Sequence, residues 1–439
     1  MRSFGRFLER NVTFIYLILF AGIMWPPDAY FAGEMVTKQG QSNIYDFLEF
    51  ALLAPFLGLG FLALHRQVPR VMLCAWPVLV LCLVAFLSAY WSDYPSLVVR
   101  RAGTVTLSTL FGIYIAARAD FAELFAALVK VYAIAAVASF VAIVALPQAA
   151  TVTGEYYTHA WRGAFTDKNE LGMACGEALM LSVYAFRRGY GPRWLAGATF
   201  AAYLVLLYGS QSKTPIVFMM AALYAAMIVL ALRRRSAGGL ITGYAMLIAG
   251  LAGSAVLAMT WQDVLLALGR DPTFTNRTRI WQLALEYIDF RPWFGYGFGA
   301  FWQETSADAQ TFWVALGFKT PHAHNSWLEM VLGIGWIGLG IAVLSWLAAI
   351  YRTLRVAAAP HAEHVAFCLA FLAAVFFESL SEYEFFRPGR LMWALFVAIL
   401  TYLGREVIFY RESQSEARRA AVFARRPVRL APAHGIAAQ

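Results

Sequence analysis

Charge is what this sequence has least of. Aspartate, glutamate, lysine and arginine supply 14% of its 439 residues and hydrophobic side chains 61%, against about a quarter and about half in ordinary globular domains. No single soluble core can hide that much apolar surface, which excludes a water-soluble enzyme and leaves a membrane protein. Cysteine is almost missing. Cys74, Cys82, Cys175 and Cys368 all fall in apolar runs, with neither metal-ligand spacing nor the density of a small disulfide scaffold, so they read as packing residues. Internal repeats of solenoid length are not visible. A small-residue cleavage site is missing too: WPPDAY follows the first apolar run, which therefore reads as a retained span and not a signal peptide.

Apolar segments recur almost without pause. One crossing of the hydrocarbon takes roughly 20 of their residues as a helix. The pattern predicts an all-α polytopic protein, with spans near 13–33, 44–64, 71–90, 97–117, 121–146, 170–186, 194–209, 214–232, 239–260, 326–351, 362–383 and 391–410. Residues 1–410 read as one membrane domain, 261–325 as a loop within it, and 411–439 as a basic tail without fixed structure. Lys and Arg of short loops mark the cytoplasmic side. They collect at Arg2, Arg6 and Arg10, at Arg66 and Arg70, at Arg118, at Arg187, Arg188 and Arg193, at Arg233 to Arg235, at Arg352 and Arg355, and along the tail. Both termini are then cytoplasmic. The net charge of +9 is mostly this asymmetry, so an anionic leaflet suffices as partner and nucleic acid is not needed.

The loop 261–325 is rich in tryptophan (Trp261, Trp281, Trp293, Trp302, Trp313) and should fold onto the outer membrane face, binding sugar or lipid or anchoring at the interface. The outward side also carries cations that the charge rule would not put there: Arg100 and Arg101, Arg162 and Lys168, Lys213, and Arg270, Arg277, Arg279 and Arg291. Several stand at helix starts. In GSQSKTPIV, Pro215 suits the first helical position and Thr214 the cap, leaving Lys213 just ahead. In GRDPTFTNRTRIWQLALEYI, Thr275 or Asn276 caps a helix whose first turn holds Arg277 and Arg279. A cation at a helix N-terminus opposes the dipole, and a bound anion reverses the sign. Snorkelling to headgroups or pairing with carboxylates explains any one of them; several on one side point to a phosphate.

In PHAHNSWLEM, Ser326 and Glu329 fit the capping box S-x-x-E. His322, His324 and Asn325 are left unexplained by it. A metal would need further ligands, and only His159 offers another outward histidine. The remaining readings are a histidine that bonds a loop carbonyl and one that acts as general base or hydrogen-bond donor.

The run HAHNSWLEMVLGIGWIGL resembles the HN-x-x-L-E-x-x-x-x-x-G-x-x-G signature of the O-antigen ligase and Wzy-type polymerase superfamily. GAFTDKNELG, GSQSKT, GRDPTFTNRTRIW and PWFGYGFGAFW resemble, in order, segments of its exopolysaccharide-polymerase branch, so that the likeness covers about residues 85–385. It implies a metal-independent, cofactor-free glycosyltransferase of GT-C type in the bacterial inner membrane. Such an enzyme moves a glycan from undecaprenyl pyrophosphate to an acceptor hydroxyl at the periplasmic face. The family's histidine falls on His324, its loop arginine on Arg277, and its basic residue after S-x-S on Lys213, where many relatives carry arginine. Substrate-binding candidates are Arg100, Arg162, Lys168, Asn169, Arg279, His322, Asn325, Glu329 and Glu378, while Glu378, Glu382 and Glu384 rival His324 as base or pair with Arg387 or Arg390. The acceptor is another lipid-linked repeat (a polymerase), lipid A core (a ligase) or a protein side chain, and other polysaccharide-assembly proteins are candidate partners. GRDPTFTNRTRIW favours the polymerase. The rival of another class, a twelve-span transporter, predicts two similar halves and charges at the midplane, neither of which this chain offers; a non-catalytic scaffold is the third possibility.

Overall fold

A computed structural model describes residues 2–23, 49–154, 157–234, 236–267, 276–357 and 364–424. Helices dominate it: α1 (Arg2–Phe20), α2 (Ala54–Ala63, entered through a π turn at Glu49–Leu53), α3 (Val68–Cys74), α4 (Trp76–Leu87), α5 (Pro95–Arg118), α6 (Phe121–Ala145), α7 (Lys168–Arg188), α8 (Arg193–Ser210), α9 (Thr214–Arg233), α10 (Ala237–Ala267), α11 (Arg277–Phe290), α12 (Ala307–Leu316), α13 (Ser326–Ala357), α14 (Val365–Ser379) and α15 (Leu391–Ala424). Between α6 and α7 lies a small antiparallel hairpin, β1 (Thr151–Gly154) and β2 (Tyr157–Trp161).

Local chemistry sets the boundaries. The Asp120 side chain accepts the Glu123 N–H and starts α6; Asp167 accepts from Asn169 and Glu170 and starts α7, which ends on left-handed Gly189. Two expected caps are corrected. Lys213, not Thr214, is the N-cap of α9. The capping box at Ser326 and Glu329 does not form: Asn325 Oδ1 accepts the N–H groups of Trp327 (3.0 Å) and Leu328 (3.1 Å). Ser326 and Glu329 are thereby released for other partners.

Among the described residues, four helices are long and apolar enough to cross a membrane: Phe121–Ala145, Pro215–Leu232, Ser326–Val356 and Leu391–Tyr410. A bent pair, Ala51–Ala63 with Val68–Cys74 at 116°, is either a broken span, which would make five, or a re-entrant loop. The expected single span 71–90 is instead broken at Ala75, ahead of Pro77, where no backbone N–H can continue the ladder. Arg352 satisfies the freed Cys74 carbonyl, and the Leu400 carbonyl at 2.9 Å. The helix at the C-terminal end runs on through 411–424, where the sequence suggested a tail; residues 425–439 lie outside the described residues, as does the second half of the expected first span.

The longest helix break is shorter than expected. Trp261 belongs to α10, and residues 276–325 build a core of their own from Ile280, Ala284, Phe301, Phe312, Trp313 and Leu316, seated on Val331 and Leu332 of α13. PWFGYGFG fastens this unit down. Helix α13 is not regular at Ile334 and Gly335, which frees two carbonyls inside a membrane span. The Tyr296 N–H donates to Leu332 O (2.7 Å), Gly297 N–H to Gly333 O (2.9 Å), and Trp336 N–H to Pro292 O (2.9 Å). Broken helices are tolerated in a membrane only where protein supplies such partners.

The charges sort to the two ends of the bundle. At one end Arg118 pairs with Glu9, Arg70 with Glu412, and Arg405 bonds the Ala116 carbonyl. The starts of α5, α7, α11, α13 and α15 lie at the other, together with Arg101, Arg277, His324 and Arg390.

Candidate active site

The segment 320–325 carries His324 and is held by several side chains. Trp313 Nε1–H donates to the Thr320 carbonyl and Trp281 Nε1–H to the Ala323 carbonyl, both at 2.9 Å. The Ala323 N–H reaches Glu329, whose same oxygen accepts Trp302 Nε1–H at 2.8 Å. Three loop tryptophans expected to stack on sugar or lipid therefore hold the histidine segment, with Trp302 and Trp313 buried; Trp293 remains exposed. Glu329, a substrate-binding candidate, accepts both bonds on one oxygen. His324 sits at φ 50, a left-handed conformation rare outside glycine.

What this segment aims at is Glu382. The His324 Nδ1 lies 3.2 Å from Glu382 Oε2. Arg277, arriving on the first turn of α11, donates from one nitrogen to Glu382 Oε1 and from another to the Ser381 carbonyl. One carboxylate thus bridges the two residues assigned by resemblance to catalysis. Burial alone would push the Glu382 carboxyl up, but the Arg277 guanidinium and the His324 ring outweigh it and hold it below the usual 4.5. An ionised carboxylate only accepts hydrogen bonds, so the His324 Nδ1 facing it is the donor, and in the neutral ring the lone pair is then on Nε2.

His322 stacks beside His324 at 4.2 Å between ring centroids, and its Nδ1 accepts the His324 backbone N–H at 3.1 Å. Burial first, then the neighbouring His324, Arg387, Arg277 and Arg390, hold this ring well below 6.5 and hence neutral. It braces the catalytic candidate. Asn325 caps α13 and donates to the Leu380 carbonyl (3.1 Å), and Ser326 Oγ donates to the Glu382 carbonyl (2.9 Å) while accepting the Glu384 N–H (2.9 Å). The segments before α13 and after α14 are stitched together by these bonds.

A second ionic group adjoins the first. Arg387 pairs with Glu384 at 2.9 Å and Glu170 at 3.3 Å, and Arg390 pairs with Glu170. Burial raises the Glu384 carboxyl despite Arg387 and Arg390, and raises Asp167, which also feels Glu170 and Glu382. Glu378 is buried on α14 with Oε2 lacking a hydrogen-bond partner among the described residues. Its other oxygen lies by Gly176 of α7, a glycine that also faces Pro215 at the start of α9.

The remaining candidates divide. Lys213 is exposed at the α9 start. Its neighbour Ser212 lies 3.5 Å from Asn169 Oδ1, which also accepts from Lys168 Nζ at 3.4 Å, but no described contact joins Lys213 to Arg277 or His324. Arg162 is buried and donates to the Ala149 carbonyl and, at 3.0 Å, to the Thr166 carbonyl, locking the turn before α7. Arg279 points away, to the Ala315 carbonyl of α12. Arg100 and Arg101 are both half-buried, and Arg101 donates to the Gly299 carbonyl. Arg270 and Thr275 fall outside the described residues, and His159 lies exposed on β2. Among the described residues no group of three or more His, Cys, Asp or Glu is arranged to hold a metal ion.

Left-handed backbone recurs at the candidate positions. Among the described residues the non-glycine positions at positive φ are His159, Gln211, Asn276, His324 and Phe386: Gln211 leads into Ser212–Lys213, Asn276 into Arg277, and Phe386 comes two residues after Glu384. Such strain, of order 1–3 kcal/mol each, persists where surrounding structure enforces it, and it collects at functional sites.

Comparison with known proteins meets this geometry. A family described as O-antigen ligase matches residues 198–343, which include Lys213, Arg277 and His324. Over those residues the chain is similar to the O-antigen ligase family. The exopolysaccharide production protein ExoQ of Rhizobium meliloti (strain 1021) is 29% identical over 209 residues, covering 45% of this chain. The chain spans about half the length of that relative, 48%.

Proposed function

We propose that the chain is a glycosyltransferase that moves a glycan from an undecaprenyl-pyrophosphate carrier to an acceptor hydroxyl, polymerising exopolysaccharide or O-antigen repeat units. The observation that carries this reading is the junction at Glu382, where an arginine and a histidine from segments far apart in the chain meet. Arg277 stabilises the negative charge that grows on the departing diphosphate, the kind of contribution that is usually the largest in catalysis. Lys213 approaches the same phosphates from the start of α9, as a point charge where an arginine would give a fork. His324 takes the acceptor proton at Nε2. The acceptor oxygen then bonds to the anomeric carbon, and the bond from that carbon to the phosphate oxygen breaks with its electron pair leaving on the lipid diphosphate. Direct displacement inverts the anomeric centre. The positive charge this needs is supplied by side chains, so the reading involves no metal ion and EDTA leaves the rate unchanged.

The site faces the periplasm and both termini the cytoplasm in this reading, with the protein in the inner membrane. Its remaining helices complete the set of about twelve spans, the charge asymmetry of the short loops being the support. Purified protein given only lipid-linked repeat makes a ladder of polymer, and Arg277→Ala or His324→Ala each abolish it while the protein still inserts. Unchanged ladders from both variants overturn the reading. The family description favours one second reading, transfer of the glycan to lipid A core: the same experiment then gives no product until a core acceptor is added.

A further inference from the structure

Arg277 is already engaged. Its guanidinium donates to Glu382 and to the Ser381 carbonyl, and the other Glu382 oxygen faces His324 Nδ1 at 3.2 Å. An anion that Arg277 is to hold must therefore compete with a carboxylate that is itself 7% exposed. That carboxylate has few other places to turn. Besides Arg277 and His324 it acts on Glu384 of its own segment, on Asp167 at the start of α7 and on Glu378 of α14, while Arg387 and Arg390 act on the adjacent Glu384. The two arginines among these are taken up by Glu384 and Glu170. Its main chain is pinned, the Glu382 carbonyl accepting Ser326 Oγ–H at 2.9 Å.

We propose, resting on the reading above, that Glu382 is the positioning residue of His324 and that the donor's diphosphate releases it from Arg277, so that donor binding completes the base. While Arg277 and His324 share one carboxylate, its charge is divided between them. Once the guanidinium turns to phosphate, Glu382 serves His324 alone: it orients the Nδ1–H, keeps the lone pair on Nε2, and stabilises the imidazolium formed when the acceptor proton arrives. The acceptor hydroxyl is consequently activated only when a lipid diphosphate is in place. Binding is ordered, donor before acceptor.

The test is Glu382→Gln in the full-length protein reconstituted in nanodiscs, with Glu382→Asp as the conservative variant. The glutamine variant should lose roughly 100-fold or more in kcat, as expected when a carboxylate that orients a catalytic histidine is replaced by an amide, with KM for the lipid-linked donor unchanged or lower because Arg277 has lost its competitor. Glu382→Asp should restore part of kcat. A raised donor KM at unchanged kcat, or no change in either, overturns the proposal. The second readout is the His324 Nδ1 signal in 15N-histidine-labelled protein with and without inorganic pyrophosphate: the change in its chemical shift should be larger in the wild type than in Glu382→Gln, and an equal change in both overturns the proposal. If Arg277→Ala and His324→Ala lose transfer while Glu382→Gln keeps it, the ordering fails and the transferase reading stands. If those two variants keep full transfer, the transferase reading fails first.

Discussion

At the scale of the residue, the site is an exercise in who pairs with whom. Stability grounds flag two histidines before an apolar helix and two arginines at a helix start, and the family resemblance is what singles out His324 and Arg277. Glu382 could be seen only as one of several acids in FFESLSEYEFFRPGR, since its partner Arg277 lies 105 positions away and no local spacing signals it. Adjacent Arg100 and Arg101 point in different directions, because successive side chains on a helix diverge by about 100°, and Arg101 donates to the Gly299 carbonyl. The junction also has a pH signature. Glu382 is held below its ordinary value, so its contribution to stability is complete at neutral pH. It starts to be lost as pH nears 4.5 and is gone once pH passes below the depressed value. His322, buried neutral, adds an acid penalty that begins near 6.5, because the unfolded chain takes up a proton that the folded one refuses. Thermal unfolding followed between pH 7 and pH 4 should therefore show a falling midpoint in the wild type. The Glu382→Gln variant should start lower and fall less steeply, and parallel curves would remove Glu382 from the network.

At the scale of the element, helix starts and the tryptophan-rich loop tell different stories. Aspartate caps at 120 and 167 and the glycine stop at 189 follow local rules and are readable from the chain. The capping box at Ser326 obeys the same rules and is nevertheless wrong, because Asn325 takes the cap and tertiary partners claim Ser326 and Glu329. Loop tryptophans cannot be assigned to ligand, lipid or core from composition, and it is the positions of Trp281, Trp302 and Trp313 around residues 320–325 that decide it. The break in α13 was hidden as well, since glycine within an apolar run is ordinary in membrane helices. Its demand is specific: Gly335 stands at φ 68, and a Cβ there would run into the Trp293 carbonyl. Gly335→Ala should cost ~3 kcal/mol, loosening the unit 276–325 from α13. Limited proteolysis should then cut within 291–325 while the membrane helices stay protected. A cleavage pattern like that of the wild type would show that the break does not hold the unit.

At the scale of the whole molecule, the organising fact is that charge is segregated by end. Composition made the membrane legible at once and the basic loops suggested a sidedness. The helix pairing that brings α7, α11, α13 and the segment after α14 to one end follows from packing that no single stretch encodes. Sidedness is open to direct measurement, because all four native cysteines are buried and give little background. A cysteine placed at exposed Val314 on α12 should react with a membrane-impermeant maleimide in intact cells, and one placed at exposed Arg66 only after permeabilisation. The reverse pattern would turn the site to the cytosol.

The central claim is that Arg277 and His324 act on one reaction in one place, and a double-variant cycle on the transfer rate tests it most directly. Groups that serve a single chemical step are strongly non-additive. Arg277→Ala combined with His324→Ala should fall little below the slower of the two single variants, whereas losses that multiply in full would mean two separate sites and contradict the account.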